Sequence, residues 1–313
     1  MKKNTKYCIR SWSNYNRSLK QRGSLTFWIS PEAIANWMTS ELTGEPGASP
    51  TYAELAIETM ATVQALFSLA GRQTQGFLQS VFALMNLELP VPDHSTLSRR
   101  RQHLTIDLPV KEGATSRHLV VDSTGIKVYG EGEWKVRQHG IRKRRTWRKL
   151  HFCTDEATPE VISAVASTND LSDAEALPDL LEHVPCQIEQ VSADCAYDQR
   201  KCYETLNRHG ARAAIPPRKG AKIWRHANRK TERHTRDENL RRIRKVGRQQ
   251  WKQECHYHRR SLAETTVFRF KTIFGDRLQT RKVENQFKEL ILKTAILNQM
   301  THLGMPESYK VTA

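Results

Sequence analysis

The chain has 313 residues, with 50 Lys+Arg against 33 Asp+Glu and a formal net charge of +17. Its hydrophobic fraction of 38% lies far above the disordered range, and its length accommodates one or two domains with a sizeable core. No apolar run approaches the roughly 18 residues of a membrane-spanning helix, no secretory signal follows the basic N-terminus, and the cysteines include no CxxC pair and make no disulfide framework.

These features place the chain in a reducing, cytoplasmic setting, with an excess of cations that calls for an anionic partner. The charge is clustered. Residues 1–22 carry seven basic residues and no acid, residues 134–150 carry eight and no acid, and residues 217–255 carry fourteen against four acids. Trp12, Trp134, Trp147, Trp224 and Trp251 lie inside these stretches. Aromatic rings among cations suit contact with bases as well as phosphates, so nucleic acid is the expected polyanion.

Residues 24–105 read as helical. Ser30–Pro31 can open a helix with Pro at its first position, and Thr51 with Glu54 has the spacing of a capping box before an apolar run that Gly71 would close. A second apolar helix, about 74–87, is stopped by Pro90 and Pro92. Asp93 or Ser95 then caps a short helix that offers Ser, Thr and the consecutive Arg99, Arg100 and Arg101. Small polar groups for base edges and Arg for phosphates make 74–104 a helix-turn-helix candidate. Residues 1–110 are therefore expected to form an all-helical DNA-binding domain.

From residue 117 the pattern changes. Runs at 118–122 and 126–129 are β-rich, 149–154 and 161–166 read as a hairpin, and helices at 172–183 and 198–208 alternate with strands at 190–194 and 211–216. This predicts an α/β domain with a mixed sheet over 117–303. It carries a basic insertion at 217–255, whose cations are not expected to pack into a core, and is followed by a tail at 304–313.

Three carboxylates carry the chemistry. Asp122 and Asp194 each end a predicted strand, and ligands of open sheets bind beyond the carboxyl ends of strands. Paired carboxylates in a basic protein are hard oxygen ligands suited to Mg²⁺ or Mn²⁺. Tyr257, Arg260, Glu264 and Lys271 share one face if 257–271 is a single helix, with Ala263, Val267, Phe270 and Phe274 as the adjoining apolar stripe. Glu264 would then complete a phosphodiester site between two cations. Asp198 competes for the second carboxylate but suits the cap of the following helix better.

The block YHRRSLAETTVFRFK, with LVVDSTGIKVYG around Asp122 and SADCAYD around Asp194, resembles the DDE transposases of bacterial insertion sequences. The layout over about 24–303 is most similar to the insertion-sequence-five group and its nine-oh-three-like relatives, which carry a Tyr-Arg-Glu-Lys signature. The resemblance implies a ribonuclease-H-like domain with a catalytic and metal-binding triad of Asp122, Asp194 and Glu264. It implies double-stranded DNA as partner, both terminal inverted repeats and target, a homodimer or higher oligomer on that DNA, and a bacterial, nucleoid-associated location. Tyr257, Arg260 and Lys271 would touch DNA beside the metals, Arg99, Arg100 and Arg101 the element end, and Lys219, Lys222, Arg225 and Arg229 flanking phosphates. Cys195–Ala196 departs from the Lys–Gly-like pair of many members. A related nuclease would lack an end-binding domain, a DNA-binding regulator would not need the acid triad, and a zinc protein would need ligand spacings that the Cys and His residues lack.

Overall fold

A computed structural model describes residues 6–39, 50–111, 116–128, 146–224 and 234–311. The chain divides into two units, Met1–Pro109 with Ala295–Ala313, and Val110–Thr294.

The first unit opens with strand β1 (Lys6–Ile9) and helices α1 (Trp12–Gln21), α2 (Leu25–Trp28), α3 (Pro31–Ala35), α4 (Glu54–Phe67), α5 (Gly71–Leu84) and α6 (His94–Arg100). Ser30 starts α3 as expected, its Oγ accepting from the Ala33 N–H at 3.1 Å. Asp93 caps α6 in the same way, accepting from the Ser95 N–H at 2.8 Å. The expected capping box at Thr51 does not form. Helix α4 starts after Ala53 without a side-chain cap, and Glu54 accepts from the Thr105 N–H at 2.8 Å instead. Gly71 opens α5 rather than closing α4, which ends at a left-handed Ser68 with φ 52°. A Cβ at Gly71 would stand 3.3 Å from the Cβ of His94, so its small size serves the approach of α6. Trp37 is fully buried, meets Phe82 edge-on at 5.0 Å and donates its Nε1–H to the Pro90 carbonyl at 2.8 Å. That bond and Pro92 shape a connection, 85–93, far longer than the three or four residues of a helix-turn-helix.

The second unit contains β2 (Ser116–Lys127), β3 (Trp147–Asp155), β4 (Val161–Thr168), α7 (Asp173–Glu182), β5 (Gln187–Ser192), α8 (Arg200–Arg208) and β6 (Arg212–Ala214). Then come α9 (Thr235–Val246), α10 (Arg248–Glu254), a 3-10 turn at Tyr257–Arg260, α11 (Ser261–Phe274) and α12 (Val283–Leu303), the last belonging to this unit through Thr294. The five strands form one mixed sheet in the order β4-β3-β2-β5-β6, with β2 antiparallel to β3 and parallel to β5. The two runs expected at 118–122 and 126–129 are one strand. Gly125 keeps it continuous, because a Cβ there would press on the Trp147 ring at 3.3 Å.

Side-chain alternation along the strands divides the sheet's two faces. Leu119 and Val121 of β2 and Ile188 and Val191 of β5 point toward α7 and α8 and pack with Leu177, Leu180, Tyr203 and Leu206 into the core. His118, Val120, Asp122, Gln190 and Ser192 alternate with them and face the other way. There α11 lies against β2 and β3; of the predicted stripe Ala263, Phe270 and Phe274 are buried and Val267 is half-buried, and Thr266 is buried beside them.

Two expectations about charged and terminal segments are corrected. The second half of the basic insertion does pack: Leu240 and Trp251 are buried, and Arg236 is only 4% exposed. Arg236 tolerates burial because its guanidinium meets Asp198 at 2.7 Å and lies 3.9 Å over the Trp224 ring. Residues 304–313 are not simply a tail. Beyond Gly304, β7 (Ser308–Val311) pairs antiparallel with β1, from Lys6↔Val311 to Ile9↔Ser308, so the first unit is not all-helical. Alternation of Tyr7 and Ile9 in one strand with Tyr309 and Val311 in the other suits such a ribbon.

Candidate active site

The site follows from where strand pairing stops. β2 pairs with β3 through Lys127, but its pairing with β5 ends at Val120↔Ser192. Asp122 therefore stands mid-strand rather than at a strand end, on the first stretch of β2 whose β5-side edge is open. Asp194 lies just past the end of β5, beside that edge. This divergence of two parallel neighbours creates a crevice at the carboxyl end of β5.

Asp194 divides its oxygens. Oδ1 accepts from the Ala196 N–H at 2.8 Å and so caps the turn Cys195–Tyr197, while Oδ2 lies 3.9 Å from Nη2 of Arg260. Asp122 does the same with the Ser123 N–H at 2.9 Å and with Arg260 Nη2 at 3.1 Å. Glu264, on the first turn of α11, reaches Arg260 Nη1 at 3.2 Å. One guanidinium thus gathers all three carboxylates. Their side-chain exposures rise from 19% at Asp122 through 39% at Asp194 to 68% at Glu264. Burial raises the pKa of the Asp122 carboxyl above the usual range, against the lowering effects of the Ser123 N–H and Arg260. Burial works to lower the pKa of Arg260, but Asp122, Tyr257, Asp194 and Glu264 outweigh it and raise it.

Tyr257, Arg260, Glu264 and Lys271 do not share one continuous helix. Tyr257 and Arg260 belong to the 3-10 turn, which starts after a left-handed His256 with φ 53°, and only Glu264 and Lys271 lie on α11. The tighter turn brings Arg260 back over the sheet while Glu264 stays at the rim. Tyr257 is half-buried, and burial pushes its hydroxyl pKa up to about 12. Lys271 is half-buried two turns beyond Glu264.

A polar network on the same sheet face holds this turn, and the sequence reading missed it. His118 hydrogen-bonds Ser192 Oγ at 2.8 Å through Nε2 and pairs through Nδ1 with Glu156. Glu156 also pairs with Nε of Arg259 at 2.7 Å, and its carbonyl accepts from Arg259 Nη2 at 3.1 Å. Gln190 donates to the Cys255 carbonyl at 2.9 Å and accepts from Arg212. Residues 255–259 are tied to β2, β5 and the end of β3, which places Arg260. Strand alternation was the available signal, since His118 and Gln190 precede the two aspartates by four residues each.

Asp198 does not cap the following helix. Helix α8 starts after Gln199, and the Asp198 carboxylate accepts from the Arg218 N–H at 2.9 Å, from Arg236 and from the Tyr203 hydroxyl. Arg218 in turn donates to the carbonyls of Cys195 at 3.2 Å and Ala196 at 3.4 Å, beside Asp194. Lys219 and Lys222 are exposed, and Arg225 and Arg229 lie outside the described residues. In the first unit Arg99 is exposed, but the Arg100 guanidinium bonds the Tyr52 carbonyl, and Arg101 is buried and bonds Gln64. As placed, Arg101 cannot contact DNA.

Two family models, both described as transposase DDE domain, match residues 20–131 and 113–299. Among solved structures, the Drosophila P element transposase strand transfer complex matches at 12% identity and a TM-score of 0.30, covering 56% of this chain and 41% of that one. The piggyBac transposase synaptic complex with hairpin DNA matches at 11% identity and a TM-score of 0.39, covering 96% of this chain and 77% of that one. The chain thus spans less than half the length of the P element chain. The second family model alone covers more than half of the sequence and spans Asp122, Asp194 and Glu264, so the chain belongs to the transposase DDE domain family.

Proposed function

We propose that this protein is a transposase of the insertion-sequence-five group that binds terminal inverted repeats, cleaves DNA at the element ends and joins the 3′ ends to target DNA. The observation that carries the reading is the gathering of Asp122, Asp194 and Glu264 around the single guanidinium of Arg260. The strand order β4-β3-β2-β5-β6, antiparallel then parallel, supports a ribonuclease-H-like domain. The spacing of Tyr257, Arg260, Glu264 and Lys271 supports the Tyr-Arg-Glu-Lys signature.

The donor set fits a hard divalent ion. All three groups are carboxylates, and Asp122 and Asp194 already share one point of positive charge at Arg260 Nη2. Among the described residues no three acidic, imidazole or thiol groups are closed into a ready cage, so Glu264, the most exposed of the three, has to turn inward to complete the set. Asp122, Asp194 and Glu264 would hold Mg²⁺ or Mn²⁺, which when bound activates water and neutralises charge on a leaving 3′ oxygen. Arg260, released from the carboxylates, would pair with a DNA phosphate beside the scissile bond, and Lys271 would hold a second. Tyr257, whose proton is retained at neutral pH, packs or donates a hydrogen bond and is not a nucleophile. Residues 1–110 would recognise the element end, with Arg99 on phosphate. Lys219 and Lys222, with Arg225 and Arg229, would clamp flanking DNA. Holding two ends together calls for at least a homodimer.

The test is cleavage of a duplex carrying an element end in Mg²⁺ or Mn²⁺. Alanine at Asp122, Asp194 or Glu264 is expected to abolish cleavage with end binding retained, and Ca²⁺ to support binding with little chemistry. Robust cleavage in excess chelator would overturn the reading.

A further inference from the structure

The first unit carries a cationic surface remote in sequence from α6. Residues 6–22 contain Lys6, Arg10, Arg17, Lys20 and Arg22 and no acid, and Lys310 adds to them from β7. This charge is carried on the exterior: Arg10, Arg17, Lys20 and Lys310 are all exposed. Aromatic side chains stand among the cations, with Trp12 59%, Tyr7 65% and Tyr309 45% exposed. Arg10 lies over the Tyr309 ring at 5.9 Å and Arg22 over Tyr15 at the same distance.

Helix α1 and the β1–β7 ribbon are one structure. Arg22 donates to the Gly304 carbonyl at 2.7 Å, and the Arg10 N–H donates to the Glu307 carbonyl at 2.7 Å. A Cβ at Gly304, whose φ is +140°, would stand 3.1 Å from the Ser18 side chain, the one buried residue of α1. A two-stranded ribbon alone is marginal in water, yet here every residue of β7 is exposed. Tyr7 and Lys310 share one face, Cys8 and Tyr309 the other. A partner that supplies both anionic groups and flat surfaces accounts for the cations and the bare rings together. A second copy of the same surface would set the same cations against each other.

We propose that α1 and the β1–β7 ribbon bind duplex DNA, the ribbon entering a groove so that Lys310 with Tyr7 on one face and Arg10 with Tyr309 on the other meet the two backbones that wall it, with Arg17, Lys20 and Trp12 of α1 on adjoining phosphates and sugars. This rests on the transposase reading and moves the main DNA face of the first unit away from Arg100 and Arg101, whose guanidiniums already have protein acceptors.

The experiment measures binding of the full chain to a labelled duplex carrying an element end, in Ca²⁺, over a series of salt concentrations. The double variant Arg10→Gln with Lys310→Gln is expected to bind about tenfold more weakly, and its slope of log affinity against log salt to flatten by about 0.9 for each lost contact. Its thermal melt should match the parent's. If the double variant melts early, Lys310→Gln alone, on a fully exposed strand, should flatten the slope by about 0.9. Unchanged affinity and slope in folded ribbon variants would overturn the proposal, as would loss of a dimer in sedimentation without a change in slope. A parent chain that binds no duplex at all would sink the transposase reading itself, and the two failures are thereby told apart.

Discussion

On one face of the five-stranded sheet Leu119, Val121, Ile188 and Val191 pack against α7 and α8 with every side chain buried. On the other face the same strands present His118, Asp122, Gln190 and Ser192, and a neighbouring loop presents Asp194. The first face is held by area removed from water, about 1.5–3 kcal/mol for each fully buried large apolar side chain. The second combines the buried stripe of α11 and Val120 with hydrogen bonds and ion pairs whose net contribution is small, because each must first be desolvated. On the proposed function, alternation along one backbone therefore sets the carboxylates opposite the α7–α8 core, and substitutions at the carboxylates and in that core should fail in different ways.

The largest separation is expected at the carboxylates. Asp122→Ala, Asp194→Ala and Glu264→Ala should each lower end cleavage by on the order of 10³ or more, and the triple variant should be little worse than the singles, since groups acting as a unit are not additive. Their melting curves should stay close to the parent's. Leu177→Ala, on the opposite face, should cost about 2–5 kcal/mol in denaturant melts and leave cleavage per folded molecule unchanged. A cleavage loss in Leu177→Ala as deep as in Asp122→Ala would erase the distinction between the faces.

Smaller effects sharpen it. Glu156→Gln should slow cleavage about 10–100-fold by freeing Arg259 and hence the turn that carries Arg260, as outer-shell partners typically do. Its divalent-ion requirement should rise while duplex affinity holds, whereas a purely structural role would lower melting and leave the ion requirement alone. Asp122→Asn should melt slightly higher than the parent at neutral pH. The folded state raises the Asp122 pKa, so its stabilisation exists below the ordinary Asp range and is lost as pH rises through the raised value. The amide removes that cost along with the activity.

The smallest effect concerns His118. Burial lowers its pKa, against the raising effect of Glu156, so the stability it contributes is present above its ordinary value near 6.5 and is lost as pH falls below it. His118→Gln should flatten the fall in melting temperature on the acid side of about pH 6.5. An identical pH profile in parent and variant would remove His118 from the acid-sensitive groups.

The sheet was legible because alternation and turn chemistry are local: the hairpin at 147–168 and the Ser172-capped helix stand where the residues put them. Asp194 lies just past a strand and Glu264 on an amphipathic helix, as their surroundings in sequence suggested, whereas Asp122 stands within a strand longer than the residues announced. What could not be read was the partner of each arginine. Arg100, Arg101 and Arg236 look like surface cations in sequence, yet each finds an acceptor far along the chain, at Tyr52, Gln64 and Asp198. The capping box at Thr51 failed for the same reason, since Glu54 found the Thr105 N–H across the fold. Pairing of β7 with β1 joins residues some 300 apart, a closure that no window of sequence displays.

Three carboxylates around one guanidinium leave two negative charges at the crevice of a chain whose formal charge is +17. With a screening length of about 8 Å at physiological ionic strength, each group of charges acts only on phosphates close to it. On the proposed function, long DNA would be drawn by the distributed cations wherever it lands, whereas a phosphodiester nudged toward Asp122 would be repelled over the last few ångströms. On that function the protein would carry DNA without cutting it, and divalent-ion concentration, rather than DNA affinity, would decide when a captured strand enters.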